Sequence, residues 1–559
     1  MRRYRTHYEL GYRDSSRRSA EDEFPWRTTL SLSALLGKET PLLRHTETAA
    51  PTGATTSCDF GKFCPLHVFS TTGYALSEGL PFGFQNQPPL PRRLVPNAYV
   101  GVCLQHTCDI AAEESSNTRG TFSLAGVAAD LGTMNDQPVT IGERHGWGDP
   151  QLFGISATDQ RQHIYVIGKT GSGKSTLLRN LILQHINLGH GVGLIDPHGD
   201  LAEELLHHIP PYRADHLVYF NPGDLEFPVG LNPLGNVAPD DRHLVASGIV
   251  GAFRSIWRDS WGPRMEYILY NAVAAILECQ NETLLGVSRL LVDDAYRSKI
   301  IRQIKDPFIR AFWADEYASY DTRFQREAIA PIQNKLGQFL LNPVIRNILG
   351  QVKNKVSIPF TMDNSRIFIA NLSKGRLGHD KANLLGSLLV TQFQLGAMAR
   401  AIRPENERRD FYLFIDEFQN FSTDAFASIL AEARKYRLCL TLSHQYIDQL
   451  PLPVRQAVFG NAGTLICFRV GYTDAEVIEK EFGKTVPASA LSDLDRYEAA
   501  VKILENGMNR EPFRAKMLPP LENRVGRRDK LIARSRERFS MRRAVIESKI
   551  RRWSNKSGV

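Results

Sequence analysis

One segment limits the possible folds more than any other: residues 168–176, which read GKTGSGKST. It follows the apolar run HIYVI and precedes LLRNLILQHI, so a buried strand leads into a glycine-rich turn and then a helix. The segment fits the pattern G-x-x-x-x-G-K-[ST], whose defining positions are Gly168, Gly173, Lys174 and Ser175. A chance match in a chain of 559 residues is expected about once in fifty such chains.

In this pattern the backbone N–H groups of the turn surround phosphate oxygens, and the helix that follows directs its positive end at them. Lys174 reaches the β- and γ-phosphates, and the Ser175 hydroxyl coordinates Mg²⁺. The sequence therefore predicts a site for a nucleoside triphosphate with Mg²⁺. The expected contact residues are Gly168, Lys169, Thr170, Gly171, Ser172, Gly173, Lys174, Ser175 and Thr176.

The segments on either side of this loop predict an α/β fold. Short apolar runs rich in β-branched and aromatic residues alternate with stretches of helical spacing, as in a parallel sheet wrapped by helices. The predicted strands are 164–168, 192–197, 216–222, 366–372, 412–417, 438–444 and 464–470. Residues 240–345 differ, because only helical periodicity appears there, and we expect an all-α insert domain.

The run YLFIDEFQNF, residues 412–421, supplies the second half of a hydrolytic site. Asp416 at the strand tip is expected to hold Mg²⁺ through water, and Glu417 to polarise the attacking water. The alternative is an acidic pair that caps a turn. Gln445 follows a neighbouring strand and is a candidate γ-phosphate sensor or a polar loop-start residue.

The stretch DPHGD places Asp196, His198 and Asp200 close together. A metal site is one interpretation, and a strand-end turn with Asp200 as a helix cap is the other. Phosphoryl transfer also gains from a cation delivered by a neighbouring subunit. The arginines at 264, 434 and 469 are candidates for this role, and the alternative for each is an ordinary surface ion pair.

Both ends of the chain differ from this middle part. Residues 1–133 are rich in Pro, Ser and Thr without sustained periodicity, so we expect disorder, or a misassigned extension with a natural start at Met134. Four cysteines lie in this region: Cys58, Cys64, Cys103 and Cys108. They could form a zinc site, but the closely spaced cysteine pairs usual in such sites are missing.

Residues 526–559 form a basic C-terminal tail with twelve Lys or Arg and three Asp or Glu, a net charge of +9. Because the whole chain has a net charge of +8, all of its excess positive charge lies in this tail. Such a strip suits a polyanion such as nucleic acid, and a solvated helix is the alternative. No apolar run is long enough to cross a bilayer, so we expect a cytoplasmic protein, or one held at the inner face of the membrane by partners.

Taken in order, these motifs resemble the HerA/FtsK-type P-loop ATPases, and most closely the TraD/TraG-like coupling proteins of type IV secretion and conjugation. The stretches that carry the resemblance are GKTGSGKST, LIDPHGDL, WGPRMEYILYNA, AIAPIQNKLGQFL, IANLSKGRLG, FIDEFQNF and LSHQYIDQL. The resemblance implies a RecA-like core, first part 134–239 and second part 346–525, interrupted by the insert.

The resemblance further implies a homo-hexameric ATPase that moves DNA without reading its sequence. It places Lys174, Ser175, Asp416, Glu417 and Gln445 in the roles given above, with Arg434 as the preferred trans-acting arginine. Relaxase or secretion-system proteins are implied partners. The alternatives are a coupling ATPase that recruits a protein substrate, a HerA-like enzyme of DNA processing or defence, and an ATP-gated scaffold.

Overall fold

The computed structural model describes residues 137–144, 149–522 and 524–555, with the side chains at 424 and 425 excepted. The predictions for residues 1–133, for the start at Met134 and for the N-terminal cysteines lie outside these residues. Thirteen strands occur in the described part: β1 Val139–Arg144, β2 Gln151–Ile155, β3 Ile164–Ile167, β4 Gly191–Asp196, β5 Leu217–Phe220, β6 Ile367–Asn371, β7 Phe411–Ile415, β8 Leu438–His444, β9 Thr464–Phe468, β10 Glu498–Lys502, β11 Leu504–Glu505, β12 Met508–Asn509 and β13 Phe513–Met517.

Eleven of these strands form one sheet in the order β2-β1-β13-β10-β9-β3-β8-β7-β4-β6-β5. The seven strands from β9 to β5 are mutually parallel, and they are the seven that the sequence predicts. The prediction of a mostly parallel α/β sheet is therefore confirmed. Because parallel strands end at a common edge, the turns after β3, β7, β8 and β4 all emerge on the same side.

The other four strands of the sheet are an antiparallel extension that the sequence analysis missed. β10 pairs with β9, β13 with β10, β1 with β13, and β2 with β1, all antiparallel. β13 buries only alternate residues, so it lacks the continuous apolar run that marks the parallel strands. Since β10 runs against β9, its first residue lies at the edge where β3 ends.

Helices cover both faces of the sheet. Alternate residues of β3 pack into two separate cores, with Tyr165 and Ile167 on one face and Ile164 and Val166 on the other. The helices outside the long segment between β5 and β6 are α1 Ala157–Gln160, α2 Lys174–Asn187, α3 Asp200–Leu205, α13 Lys374–Leu377, α14 His379–Met398, α15 Asp424–Glu432, α16 Leu452–Asn461, α17 Tyr472–Glu481, α18 Ala488–Ser492, α19 Arg528–Phe539 and α20 Arg543–Asn555.

The segment between β5 and β6 is helical, with no strand in residues 221–366. Its helices are α4 Arg242–Ile256, α5 Pro263–Leu277, α6 Leu285–Val292, α7 Asp294–Ile301, α8 Pro307–Ala311, α9 Tyr317–Ser319, α10 Thr322–Leu340, α11 Pro343–Leu349 and α12 Ile358–Asp363. Side-chain oxygens of Asp293, Asp306, Asp321 and Asn342 accept backbone N–H bonds at the helix starts. Helix α4 packs on α14, which is one of the helices that cover the sheet. The predicted bounds of an insert domain at 240 and 345 stay a prediction.

The basic C-terminal segment is not a free strip. It forms α19 and α20, which pack on the rest of the protein, and many of its arginines are paired with carboxylates. Arg528 bonds Glu203 of α3, Arg534 bonds Asp215 and Arg536 bonds Asp224. The Ser535 hydroxyl accepts the backbone N–H of Tyr219 in edge strand β5, 2.9 Å away. Among the described helices, none has the length and apolarity needed to span a membrane.

Candidate active site

The glycine-rich loop joins β3 to α2 and is fixed by its backbone. The N–H of Gly168 donates to the carbonyl of His444 (3.3 Å), and the N–H of Lys169 donates to the carbonyl of Arg469 (2.8 Å). The loop is thereby held to the ends of β8 and β9. Gly173 has φ +125°, a conformation open to glycine but strained for other residues, and a β-carbon there would lie 2.9 Å from the Tyr497 ring.

Lys174 is the first residue of α2 and is buried, with 7 % of its surface exposed. Its ammonium donates to the carbonyls of Gly168 (2.6 Å) and Lys169 (3.2 Å), so the side chain lies across the inside of the loop. Burial lowers the pKa of Lys174, while the charges of Glu417 and Asp416 act in the opposite direction. The side chains of Lys169, Thr170 and Ser175 are exposed, so the loop opens to solvent where phosphates would bind.

Asp416 follows β7 directly and is held against β4, because its N–H donates to the carbonyl of Ile195 at 3.1 Å. The side chain is almost fully buried. Burial, with the neighbouring charges of Asp196 and Glu417, raises the pKa of Asp416 to about 6. A buried carboxylate among other acids favours a bound cation, and the donor set of Asp416 with the Ser175 hydroxyl is one that Mg²⁺ accepts.

Glu417 occupies the left-handed region with φ +45°, which is uncommon for a residue with a side chain. Its two carboxylate oxygens are each held at 2.8 Å: Oε1 accepts from the Gln445 amide and Oε2 from the Gln419 amide. The Thr170 hydroxyl of the loop donates in turn to Gln445 Oε1 at 3.2 Å. A strained backbone and two side-chain donors therefore fix the direction of this carboxylate.

Residues predicted from three distant stretches thus meet at one sheet edge. The loop after β3 brings Lys174, the end of β7 brings Asp416 and Glu417, and the end of β8 brings Gln445, which contacts both the loop and Glu417. Such an arrangement can bind a triphosphate, hold a metal ion beside it and orient a water molecule. The roles of the individual residues stay predictions.

The DPHGD stretch forms a turn and not a metal site. Asp196 Oδ1 accepts the N–H groups of His198 and Gly199, both at 2.8 Å, and Oδ2 accepts that of Ala202 at 2.9 Å. Asp196, not Asp200, therefore supplies the carboxylate that caps α3, which corrects the predicted cap. Within the described residues no group of three or more His, Cys, Asp or Glu side chains has metal-binding geometry.

Lys374 is a site residue that the sequence analysis did not single out, although it lies in the quoted stretch IANLSKGRLG. Its backbone N–H donates to the carbonyl of Pro197 (2.8 Å), which holds the exit of β6 to the exit of β4. Burial lowers the pKa of Lys374, opposed by the charges of Glu417 and Asp416. A second cation thus lies near the acidic pair, and its position directly after a predicted strand was the available signal.

The three candidate arginines occupy different places. Arg469 follows β9 and borders the loop through its carbonyl, with an exposed side chain. Arg434 precedes β8 and is exposed at the opposite edge of the sheet. Arg264 starts α5, where its guanidinium lies 4.7 Å from the centre of the Phe324 ring. Of the three, Arg469 is the one that contacts the loop, through its backbone carbonyl.

Comparison with known families agrees with this geometry. Residues 155–375, which include the loop, α2, β4 and the helical segment, match the family described as helicase HerA, central domain. Over these residues the chain is similar to the HerA central domain, and its fold is that of a P-loop NTPase. No curated protein matches the chain.

Comparison with solved structures finds similarity to the following proteins. The unbound bacterial conjugative coupling protein TrwBdeltaN70 is 16 % identical over 67 % of this chain and 88 % of its own, with a TM-score of 0.48. TrwB in complex with ADP and Mg²⁺ is 16 % identical over 67 % and 89 %, with a TM-score of 0.48. VirB4 of Thermoanaerobacter pseudethanolicus is 14 % identical over 68 % and 96 %, with a TM-score of 0.45.

Proposed function

We propose that this HerA-type core binds ATP with Mg²⁺ and hydrolyses it to ADP and phosphate. The observation that carries the proposal is the contact of Gln445 with both the loop residue Thr170 and the carboxylate of Glu417. This contact links the predicted phosphate site to the predicted base. A residue placed between the γ-phosphate and the attacking water is suited to detect whether the phosphate is present.

Each side chain then has a defined task. Lys174 binds the β- and γ-phosphates, and its present carbonyl partners are exchanged for phosphate oxygens. Ser175 and Asp416 hold Mg²⁺, which neutralises charge that develops on the phosphates. Glu417 accepts a hydrogen bond from the attacking water and orients it in line with the γ-phosphate. Lys374 is placed to offset the negative charge of the acidic pair.

We further propose that hydrolysis moves DNA through a homo-hexameric ring, with the DNA bound through its backbone and not its sequence. Support comes from the HerA central-domain match and from the ordered set of motifs quoted above. Relaxase or secretion-system proteins remain predicted partners of such a motor.

The position of Arg434 is consistent with a role at the nucleotide site of a neighbouring subunit in the proposed ring. It lies before β8, whereas Gln445 lies after the seven residues of that strand, a separation of about 20 Å. An arginine side chain cannot cross that distance to its own site. Because Arg434 is exposed, it is available to the nucleotide of a neighbouring subunit, as trans-acting arginines are.

The decisive experiment measures ATP hydrolysis by the full chain with no DNA, with single-stranded DNA and with double-stranded DNA. Lys174→Ala serves as the inactive control. We expect at least one DNA form to stimulate hydrolysis, with a stimulation that falls steeply as salt rises. Negative-stain imaging of the same sample counts the subunits. Hydrolysis that is indifferent to DNA at low salt contradicts translocation, and stimulation by a protein alone favours the protein-recruiting alternative.

A further inference from the structure

A tyrosine borders the phosphate-binding loop on the side away from the acidic pair. Tyr497 immediately precedes β10, and its N–H donates to the carbonyl of Ser172 in the loop at 2.9 Å. A β-carbon placed on Gly173 would lie 2.9 Å from the Tyr497 ring and 3.1 Å from the ring of Phe468. The two aromatic residues therefore form a wall against the loop.

The backbone of Tyr497 is held in an unfavourable conformation. Its φ is +69°, in the left-handed region that aromatic residues rarely occupy. Two hydrogen bonds fix it there, since its own N–H bonds the loop and its carbonyl accepts the N–H of Met517 at 2.8 Å. Strain of this kind persists where the surrounding structure enforces it, and it is concentrated at functional sites.

Tyr497 is only half-buried, and its hydroxyl makes no hydrogen bond to the described residues. The guanidinium of Arg496, itself exposed, lies over the ring at 4.7 Å from its centre. A packing residue of the core would be enclosed and would place its hydroxyl against a partner. This ring is instead partly exposed next to the loop, with a guanidinium over one of its faces.

The order of strands decides which part of a nucleotide would reach this surface. Glu417 and Gln445, at the ends of β7 and β8, mark the side of the loop where the γ-phosphate must lie. β9 and β10 are on the other side of β3. A triphosphate bound along the loop, with its γ-phosphate at Glu417, therefore directs its ribose and base towards β9 and β10, where Tyr497 lies.

We propose that Tyr497, supported by Arg496, is the stacking surface for the nucleobase. The inference rests on the proposed binding of ATP at this loop. Stacking uses the flat face that all bases share, so the surface would favour a nucleotide over a bare triphosphate without strongly selecting adenine over guanine.

The test compares the binding of Mg-ATP, Mg-GTP and Mg-tripolyphosphate to the full chain by calorimetry. Tyr497→Leu keeps a bulky side chain against Gly173 but removes the aromatic face, and Tyr497→Phe retains that face. We expect Tyr497→Leu to weaken ATP and GTP about tenfold, with tripolyphosphate changed less than about twofold, and Tyr497→Phe to resemble the wild type. Tyr212→Leu is the matched control, because Tyr212 is an exposed tyrosine before β5, at the opposite edge of the sheet.

Two results would overturn this inference and leave the proposed function standing. One is an equal loss for all three ligands in Tyr497→Leu, which would mean that Tyr497 only supports the loop. The other is no change in any of them. If the wild-type chain binds none of the three ligands, the proposed function fails first, and the inference falls with it.

Discussion

The replacement Glu417→Gln changes one oxygen of the predicted catalytic carboxylate to an NH₂ group and leaves its size unchanged. In the native site both oxygens are acceptors, each for an amide donor at 2.8 Å. After the replacement, one of the two donors, Gln445 or Gln419, faces an NH₂ group and loses its partner unless its own amide turns over. The contacts of Lys174 inside the loop do not involve Glu417 and are kept. The Thr170 hydroxyl, which donates to Gln445 Oε1, is affected only if the Gln445 amide turns over.

The expected magnitude follows from this geometry. A hydrogen bond to a charged group is worth about 1.5–3 kcal/mol, so the folded protein should lose no more than about 3 kcal/mol. A positioned general base contributes about 10²–10⁴ in rate, which corresponds to about 3–5 kcal/mol in the barrier. Glu417→Gln is therefore expected to slow turnover by at least about a hundredfold, while ATP affinity changes little.

Single-turnover hydrolysis of ATP, together with calorimetric ATP binding, separates the two effects. Gln419→Ala is the matched control: it removes one of the donors to Glu417 but keeps the carboxylate, and a loss of less than about tenfold is expected. Turnover by Glu417→Gln that equals the wild type would remove Glu417 from the mechanism. A parallel loss of ATP binding would assign it to binding instead of catalysis.

Four further predictions follow from the same site and its supports. In the proposed role Asp416 binds Mg²⁺ as a carboxylate, and its pKa is raised to about 6, so the Mg²⁺ affinity measured by calorimetry should fall as the pH drops below 6. Asp416→Asn should show no such pH dependence, and a wild-type affinity that does not change with pH would contradict the role. Lys374→Ala should reduce turnover about tenfold and Lys374→Arg less, with ATP binding kept; equal rates would exclude a role for this cation. Mixing Arg434→Ala with Lys174→Ala subunits should restore part of the ATPase activity that each variant lacks alone. A mixture whose ATPase rate never exceeds the summed rates of the two variants would contradict a trans role for Arg434. Glu203→Gln should lower the free energy of unfolding by about 1–3 kcal/mol, since Glu203 accepts bonds from Tyr219, Asn371 and Arg528, and an unchanged denaturation midpoint would refute this.

The parallel half of the sheet could be predicted because its strands are buried on both faces and read as continuous apolar runs. β7 is an example, with Phe411–Ile415 fully buried and Asp416 at its end. The antiparallel half could not, because strands such as β13 alternate between buried and exposed residues over only five positions. That signal is too short to distinguish from a loop.

The candidate site divides in the same way. The loop and the acidic pair are visible in sequence because each follows an apolar strand and has a fixed pattern. Lys374 follows a predicted strand, but its approach to the acidic pair depends on the pairing of the exit of β6 with that of β4. The position of Tyr497 beside the loop depends on the pairing of β10 with β9, for which the sequence has no signal. The cap at Asp196 was assigned to Asp200 because the sequence does not reveal which carboxylate folds back on the helix.

The packing of α19 along β5 has a practical consequence for handling this protein. β5 is the last strand of the sheet, and the bond from the Tyr219 N–H to Ser535 occupies a backbone donor that would otherwise be open to another strand. An open strand edge is a template for edge-to-edge association. A chain shortened before Gly526 should therefore form aggregates on storage even where its catalytic groups are intact, and a C-terminal purification tag needs a spacer that leaves both terminal helices in place.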